Sequence, residues 1–113
     1  MIDEKRLLGM IGMCKRAGKA IIGTPMICEH LRKRGIAVCE SETEVLVLEA
    51  SDTSDNTHKK LSDKCKYYNV KLIRLTTTCD DLGRAVGKSA VAAVAIADKN
   101  FCRGILAIIK EDQ

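Results

Sequence analysis

The sequence predicts an α/β protein, a three-layer α/β/α sandwich built on a small mixed four-stranded sheet. Two observations lead to this prediction. Stretches with helical periodicity alternate with short apolar runs along the whole chain, as in helices that pack on a sheet. The chain has 113 residues, which is enough for one hydrophobic core and too few for two, so residues 1–113 are expected to form a single domain.

Five helices and four strands are expected from apolar spacing and from residues that cap or break helices. In chain order they are a helix from an Asp3 N-cap to Gly18, a strand at 20–22, a helix from Gly23 to Gly35, a strand at 45–48, a helix at 58–68, a strand at 70–75, a helix from Thr78 to Gly87, a strand at 91–97 and a helix at 99–110. The strand at 45–48 is expected to be central and buried on both faces, because it is an unbroken run of β-forming residues.

Specific residues mark where several of these elements begin and end. The polar segment 51–57 is dense in capping residues and leads into the third helix, which Asn69 is expected to stop. Thr78 and Asp81 have the spacing of a capping box at the start of the fourth helix. The residues expected on the buried side of the last helix are Phe101, Ile105, Ile108 and Ile109.

The start of the second helix is the first candidate for function. Thr24 is expected to be its N-cap, since a threonine hydroxyl can accept a backbone N–H, and Pro25 suits the next position, where an amide would lack a partner. The resulting N-terminus, with open N–H groups and a positive dipole end, suits a phosphate or an RNA backbone. Gly-Thr-Pro is also an ordinary way to begin a helix, so the motif alone leaves a purely structural role open.

Basic residues are concentrated in the same part of the chain. The net charge is +4, and eight of the nineteen lysines and arginines lie in the first third. They are Lys5, Arg6, Lys15, Arg16, Lys19, Arg32, Lys33 and Arg34. Lys15, Arg16 and Lys19 are expected to flank the helix start as part of a basic patch, although a charge-balanced solvated surface explains the same composition. With two tyrosines and one phenylalanine, base-stacking platforms of the single-strand-binding kind are not expected.

Neither metal chemistry nor catalysis is expected. The six cysteines are Cys14, Cys28, Cys39, Cys65, Cys79 and Cys102. They contain no Cys-x-x-Cys pair, which favours reduced, partly buried thiols over zinc ligands. His30 and His58 are interpreted as helix-surface residues, because neither has a catalytic partner at a recognisable spacing. The chain starts with charged residues and lacks a membrane-length apolar run, so a cytoplasmic protein without a cofactor is expected.

Five phrases of the sequence, taken together, resemble one protein family. They are RAGK at 16–19, ASDTSDNT at 50–57, YYNV at 67–70, DLGRAVGK at 81–88 and AVAIADKNF at 93–101. In this order they are similar to the ribosomal protein L7Ae/L30e family, and in particular to its small bacterial members. The resemblance implies a three-layer domain that binds structured RNA, in particular kink-turns, within ribosomes or related particles. It implies no catalysis.

The resemblance also implies which residues contact RNA. In the family, the first turn of the second helix and the loop before the last strand grip the kink, by polar contacts to sheared G·A pairs and by packing on an extruded base. These places correspond here to residues 23–29 and 88–91, with the segment around Ser51 and Asp52 beside them. The expected RNA-binding residues are Lys19, Gly23, Thr24, Pro25, Met26, Glu29, Lys33, Asp52, Lys88, Ser89, Ala90 and Val91.

The chain departs from the family pattern in both places. An Asn-Glu pair is replaced by Pro25 and Met26, and a downstream lysine is replaced by Glu29. In the loop, Ser89 and Ala90 stand where bulkier apolar residues are expected. Each good contact that is lost should cost about 1–3 kcal/mol, which predicts micromolar and salt-dependent RNA binding.

Two functions from different classes remain open. The favoured one is a ribosomal or ribosome-associated protein that binds structured RNA, with ribosomal proteins as further partners. The alternative is a protein-interaction module on the same scaffold that has lost RNA binding, as the departures would allow. The recognition domain of an RNA-modifying enzyme is disfavoured, because 113 residues leave no room for a catalytic domain.

Overall fold

The computed structural model describes residues 4–35 and 45–111, which form five helices and a four-stranded mixed sheet. The elements are α1 (Glu4–Arg16), β1 (Ala20–Ile22), α2 (Thr24–Arg34), β2 (Leu46–Glu49), α3 (Asp55–Tyr67), β3 (Lys71–Arg74), α4 (Cys79–Ala85), β4 (Ala93–Ile96) and α5 (Lys99–Glu111). The predicted α/β sandwich is confirmed, and each predicted element is present in these residues. The predicted N-cap Asp3 lies outside them.

The sheet has the strand order β1-β4-β2-β3. β4 runs antiparallel to both of its neighbours, with Ala95 opposite Ile21 of β1 and Val47 of β2, whereas β2 and β3 are parallel. As a result, β1, β2 and β3 all end where β4 begins. We call this the carboxyl end of the sheet, and the opposite end, where β4 finishes, the amino end.

Helices cover both faces of the sheet. Alternate side chains of a strand point to opposite faces, so Leu46 and Leu48 of β2 pack with α1, α4 and α5, whereas Val47 packs with α2 and α3. Both central strands, β2 and β4, are fully buried, as predicted for the apolar run that contains β2. The sheet is therefore enclosed between two helical layers.

The buried side of α5 closely follows its predicted pattern. Ile105, Ile108 and Ile109 are buried, and Phe101 is partly buried. Cys102, which was expected to be a partly buried thiol, is fully buried as well. These side chains join α5 to the core that α1 and α4 share.

The start of α2 differs from its prediction. Gly23, not Thr24, is the N-cap, and the Ile27 N–H donates to the Gly23 carbonyl oxygen at 3.0 Å. Gly23 has a φ of 94°, which a residue with a side chain rarely adopts. The chain therefore turns into the helix one residue earlier than expected, and Thr24 becomes the first helical residue without making a capping hydrogen bond.

The start of α3 was also predicted wrongly. The helix begins at Asp55, three residues before the expected start at His58. The Ser54 hydroxyl accepts the Thr57 N–H at 3.2 Å and so serves as the N-cap. Part of the polar segment that was expected to lead into the helix is therefore its first turn.

Other boundaries agree with the sequence. Asn69 ends α3 with a φ of 57°, and the Thr78 hydroxyl caps α4 by accepting the Asp81 N–H at 3.2 Å. The third and fourth strands are shorter than the predicted ranges 70–75 and 91–97. The residues before β4 instead belong to a loop at the carboxyl end of the sheet.

Candidate functional site

The first turn of α2 lies at the carboxyl end of the sheet. The Gly23 N–H donates to the Ala93 carbonyl oxygen at 3.1 Å, which fixes the helix start beside the beginning of β4. Pro25 has no N–H, and the N–H groups of Thr24 and Met26 have no acceptor among the described residues. Two backbone donors and the positive end of the helix dipole are therefore available to a ligand here.

Three described helices begin at this end, because each follows a strand that finishes there. Ser54 caps α3 and Thr78 caps α4 through their hydroxyl groups. By contrast, α2 starts at Gly23, which has no side chain to offer. Among these three helices, α2 alone lacks a side-chain cap.

The loop after α4 forms the second part of the candidate site. Residues 88–90 are exposed, whereas the side chain of Val91 is only 6% exposed. The Val91 N–H donates to the Cys79 carbonyl oxygen at 3.0 Å, which ties the end of the loop to the start of α4. The exposed residues 88–90 thus lie between the end of α4 and the hydrogen bond of Val91.

Gly83 determines how closely this loop lies on α4. A Cβ atom at this position would lie 2.8 Å from the Ala90 Cα and 3.0 Å from the Ser89 carbonyl carbon, closer than side chains approach backbone atoms. The Gly83 carbonyl oxygen also accepts the Lys88 N–H at 2.8 Å. The loop can therefore take this position only because residue 83 has no side chain.

Both parts of the site adjoin the start of β4. Gly23 is bonded to Ala93, the first residue of that strand, and the Ala50 N–H donates to the Ala92 carbonyl oxygen at 2.8 Å. The loop 88–91 leads directly into these residues. The structure therefore brings the start of α2, the loop and the segment after β2 to one place.

Asp52 has a structural contact at this end. Its carboxylate accepts the Cys79 N–H at 2.8 Å, and this hydrogen bond holds the pKa of the carboxyl group below its usual range. The neighbouring Ser51 donates its N–H to the Thr77 carbonyl oxygen at 2.8 Å and accepts the Arg74 guanidinium at 3.1 Å. These bonds join the segment after β2 to the start of α4 and so support the site.

Glu29 and Lys33 lie further along α2. The Glu29 carboxylate is 2.6 Å from the Arg32 guanidinium and 3.7 Å from the Lys33 ammonium group, and the bond to Arg32 lowers the pKa of Glu29. Lys33 is nine residues beyond Thr24, which is about 14 Å along the helix axis. The structure therefore does not bring Lys33 to the first turn, and the charge of Glu29 is compensated by residues that follow it.

The predicted basic flank of the α2 start is wrong. Lys15 and Arg16 end α1, and the Lys19 carbonyl oxygen accepts the Ala97 N–H at 2.8 Å, which places Lys19 at the amino end of the sheet. β1 then carries the chain about 10 Å across the sheet before α2 begins. Closeness to Gly23 in sequence therefore does not bring these three cations to the helix start.

A buried polar cluster below the carboxyl end was not predicted. Glu49, the last residue of β2, is fully buried, and its carboxylate accepts a hydrogen bond from the Thr53 hydroxyl. His58 Nδ1 lies 2.8 and 2.9 Å from the two carboxylate oxygens of Glu49. The side chain of His58 is 42% exposed, so its interpretation as a surface residue holds in part, but its pairing with the buried Glu49 was not predicted. A carboxylate that ends an apolar strand, followed by a histidine in the next helix, was the pattern that could have revealed this pair.

Three of the five described cysteines, Cys14, Cys65 and Cys102, are buried, and the other two are partly buried. Cys14 and Cys65 are buried, and burial raises the pKa of each to about 11, so both are protonated at neutral pH. Residues 4–35 and 45–111 contain no group of three potential metal ligands. Cys39 lies outside these residues.

His30 is partly buried, which lowers its pKa, so it is less solvated than expected.

The sequence model of the ribosomal protein L7Ae/L30e/S12e/Gadd45 family matches residues 5–107. The chain belongs to this family. The match begins in α1 and ends in α5, so it includes both parts of the candidate site. The resemblance that the five sequence phrases indicated is confirmed. Among the described helices of this L7Ae-family chain, none combines the length and apolar character that crossing a membrane requires.

Two relatives carry the name RNA-binding protein YlxQ. The one from Bacillus subtilis strain 168 is 31% identical over 100 residues, which cover 88% of this chain and 91% of the relative. The one from Enterococcus faecium is 29% identical over 101 residues, which cover 89% of this chain and 88% of the relative. Both alignments thus extend over most of each protein.

Two solved structures resemble the fold. A Bacillus halodurans protein of unknown function superposes with a TM-score of 0.78 and 28% identity, covering 95% of this chain and 99% of its own. The 15.5kD RNA binding protein of Giardia lamblia superposes with a TM-score of 0.67 and 17% identity, covering 93% and 82%. At that identity, the second likeness concerns the fold alone.

Proposed function

We propose that this L7Ae-family protein binds structured RNA, in particular kink-turn RNA, as a ribosomal or ribosome-associated protein. Family membership and the names of two relatives support RNA as the ligand. In this proposal residues 1–113 act as a single domain in the cytoplasm, without a cofactor or a catalytic activity, and ribosomal proteins are further partners.

The uncapped start of α2 carries this proposal. The Thr24 and Met26 amides can donate to phosphate or base oxygens, and the positive dipole end of the helix favours the negative charge of RNA. The Thr24 hydroxyl makes no capping bond and adds a third donor. Backbone donors do not depend on side-chain identity, so this contact survives the replacement of the family's Asn-Glu pair.

The loop 88–91 supplies the second contact. Lys88 is exposed and attracts phosphate, and Ser89 adds an exposed hydroxyl group. Val91 is buried, so an extruded base would pack on Ala90 and on the loop backbone rather than on the valine side chain. This packing area is small, which lowers the expected affinity.

The expected affinity is micromolar rather than nanomolar, a difference of about 4 kcal/mol. Pro25 offers no N–H, and Met26 presents a side chain that is 60% exposed and cannot hydrogen-bond to a base. Binding that depends on a few cations and on backbone donors should weaken steeply as salt concentration rises.

Thr24→Pro tests the backbone contact directly. Proline is well suited to the first helical position, so the variant removes one N–H and one hydroxyl group while keeping the helix. Thr24→Ala is the matched control, because it removes only the hydroxyl. We expect Thr24→Pro to bind a kink-turn RNA at least tenfold more weakly than Thr24→Ala, which corresponds to about 1.4 kcal/mol.

The measurement is a titration of each variant with a kink-turn RNA and with a duplex of similar length that lacks the kink. Equal affinity of the proline and alanine variants would remove the Thr24 amide from the RNA contact. Equal affinity of the wild type for both RNAs would contradict kink-turn specificity. A protein-interaction role, which the exposed Met26 side chain favours, would then move ahead.

A further inference from the structure

The C-terminal half of α3 carries an aromatic and basic surface far from the site at the carboxyl end. Tyr67 is 66% exposed, the largest exposure among the bulky apolar side chains of the described residues. Its ring meets Tyr68 edge-on, with a centroid distance of 4.8 Å and an interplanar angle of 82°. Tyr68 is partly buried against the core below α3, so it holds the exposed ring from one side.

Two lysines share a shallow concavity with these rings. Lys60, Lys64 and Tyr67 follow each other at helical spacing along one stripe of α3, and Asp63 and Tyr68 complete the lining. Neither lysine forms an ion pair with a described residue. One carboxylate therefore faces two ammonium groups, and the concavity has a positive balance.

We infer that this surface is a second RNA contact, at which an unpaired base stacks on Tyr67 while Lys60 and Lys64 neutralise the flanking phosphates. Stacking on an exposed aromatic face next to cations is how single-stranded RNA is bound without sequence preference. The low aromatic content did not predict a stacking platform, but the exposed ring of Tyr67 supplies one stacking position. The ring and the ammonium groups lie within one concavity, which is the arrangement this recognition needs. Tyr67 is twelve residues beyond Asp55, about 18 Å along α3, so the contact is separate from the first turn of α2.

The inference rests on the proposed function only in taking RNA as the ligand. The kink-turn contact would be made by backbone donors at the carboxyl end of the sheet, whereas this one would be made by side chains near the other end of α3. A uridine decamer separates the two, because it has no G·A pairs and cannot form a kink-turn.

The protein supplies its own spectroscopic probe for this surface. The chain has no tryptophan and two tyrosines, which are Tyr67 and Tyr68, so its intrinsic emission comes from this place. We expect the uridine decamer to quench the tyrosine emission as it binds. Tyr67→Leu should remove the quenching and weaken binding about tenfold, since base stacking would be lost. The side chain is exposed, so its replacement should leave the melting temperature close to that of the wild type.

Two double variants with equal charge change provide the matched control. Lys60→Ala with Lys64→Ala removes the cations of the concavity, whereas Lys59→Ala with Lys66→Ala removes two exposed cations from α3 outside it. We expect the first pair to weaken decamer binding about tenfold and the second to weaken it less than threefold. Equal losses in both pairs would mean that only net charge attracts RNA, and would overturn the inference.

Two other results would also overturn it. Wild-type affinity in Tyr67→Leu would show that no base stacks on this ring. Quenching by a polyglutamate peptide, without quenching by the decamer, would assign the surface to an acidic protein partner. Decamer binding that survives in a protein unable to bind kink-turn RNA would support this second contact even though the proposed function had failed.

Discussion

The two ends of the sheet present different chemistry. At the carboxyl end, the start of α2 and the loop 88–91 are joined through backbone hydrogen bonds and through the close contact at Gly83. At the amino end, Lys15, Arg16 and Lys19 are exposed cations. RNA binding by backbone donors depends on how whole segments are positioned, whereas RNA binding by lysines depends mainly on their charge. Strand direction, rather than the density of basic residues in the sequence, therefore locates the candidate site.

Gly83→Ala should have the largest effect of any change that tests this comparison. The new methyl group would lie 2.8 Å from the Ala90 Cα, and backbone at that distance can move only if the loop 88–91 shifts. We expect the free energy of unfolding to fall by about 2 kcal/mol, as for overpacking in a well-packed core. Urea denaturation of the wild type and the variant measures this change.

Gly9→Ala is the matched control for that substitution. Gly9 also lies within a helix, but nothing is within 4 Å of an added Cβ atom. Alanine should therefore raise the free energy of unfolding by about 0.5–1 kcal/mol through its helix propensity. Kink-turn RNA binding should weaken about tenfold, or 1.4 kcal/mol, in Gly83→Ala alone. Similar stability changes in the two variants would contradict the close contact at Gly83.

Local sequence pattern was sufficient to predict the fold. β1, β2 and β4 lie in short apolar runs, whereas β3 has a charged residue at each end. The residues that end or cap the helices, such as Asn69 and Thr78, act through their own backbone or hydroxyl groups. The N-cap of α2 was placed one residue too late, because the positive φ of Gly23 cannot be read from composition. The errors in fold were thus confined to element ends.

The candidate site was less predictable, because it depends on residues that are distant in sequence. The family resemblance indicated the start of α2 and the loop 88–91, but not that Lys19 would lie at the opposite end of the sheet. The pairing of His58 with Glu49 was missed, since a carboxylate within an apolar strand gives no sign of its partner. Strand order and burial, which no local pattern encodes, decide both cases.

An aspartate at each end of the sheet accepts a backbone N–H at the start of a helix, so the same substitution can be made at both ends. Asp52 accepts the Cys79 N–H at 2.8 Å at the carboxyl end, and Asp98 accepts the Phe101 N–H at 3.0 Å at the start of α5, at the amino end. We expect Asp52→Ala and Asp98→Ala to lower the melting temperature by similar, small amounts, because each removes one helix-capping bond. Kink-turn RNA binding should weaken moderately in Asp52→Ala only, since this bond supports the site.

The stability that Asp52 contributes should also depend on pH. Its hydrogen bond to Cys79 holds the folded-state pKa below the usual value. This stability is therefore present above the unfolded-state pKa of about 3.9 and is lost as the pH falls through the lower folded-state pKa. Asp52→Ala should therefore differ from the wild type in melting temperature at pH 7 and converge with it in strong acid. A difference that persists in acid would mean that the effect does not come from the carboxylate.

The smallest expected effect is that of removing charge at the amino end. The triple variant Lys15→Ala, Arg16→Ala and Lys19→Ala loses three cations that precede β1, and this strand extends about 10 Å before α2 begins, a length near the Debye length of about 8 Å at physiological salt. We expect its kink-turn affinity to stay within about twofold of the wild type at that salt concentration. The single variant Lys88→Ala removes a cation that lies in the loop itself, and it should lower the salt slope of binding by about one unit.

Titrations at two salt concentrations distinguish the cations at the amino end from Lys88 in the loop. Lowering it lengthens the Debye length, so the triple variant should lose affinity relative to the wild type only in dilute salt. Lys88→Ala should bind more weakly at both concentrations, because a phosphate in contact with Lys88 is screened less. If the triple variant loses more affinity than Lys88→Ala at physiological salt, the RNA must extend across the sheet to Lys19. The amino end would then belong to the RNA-binding surface. The two ends would differ only in how they contact RNA, through backbone donors at the carboxyl end and through cationic side chains at the amino end.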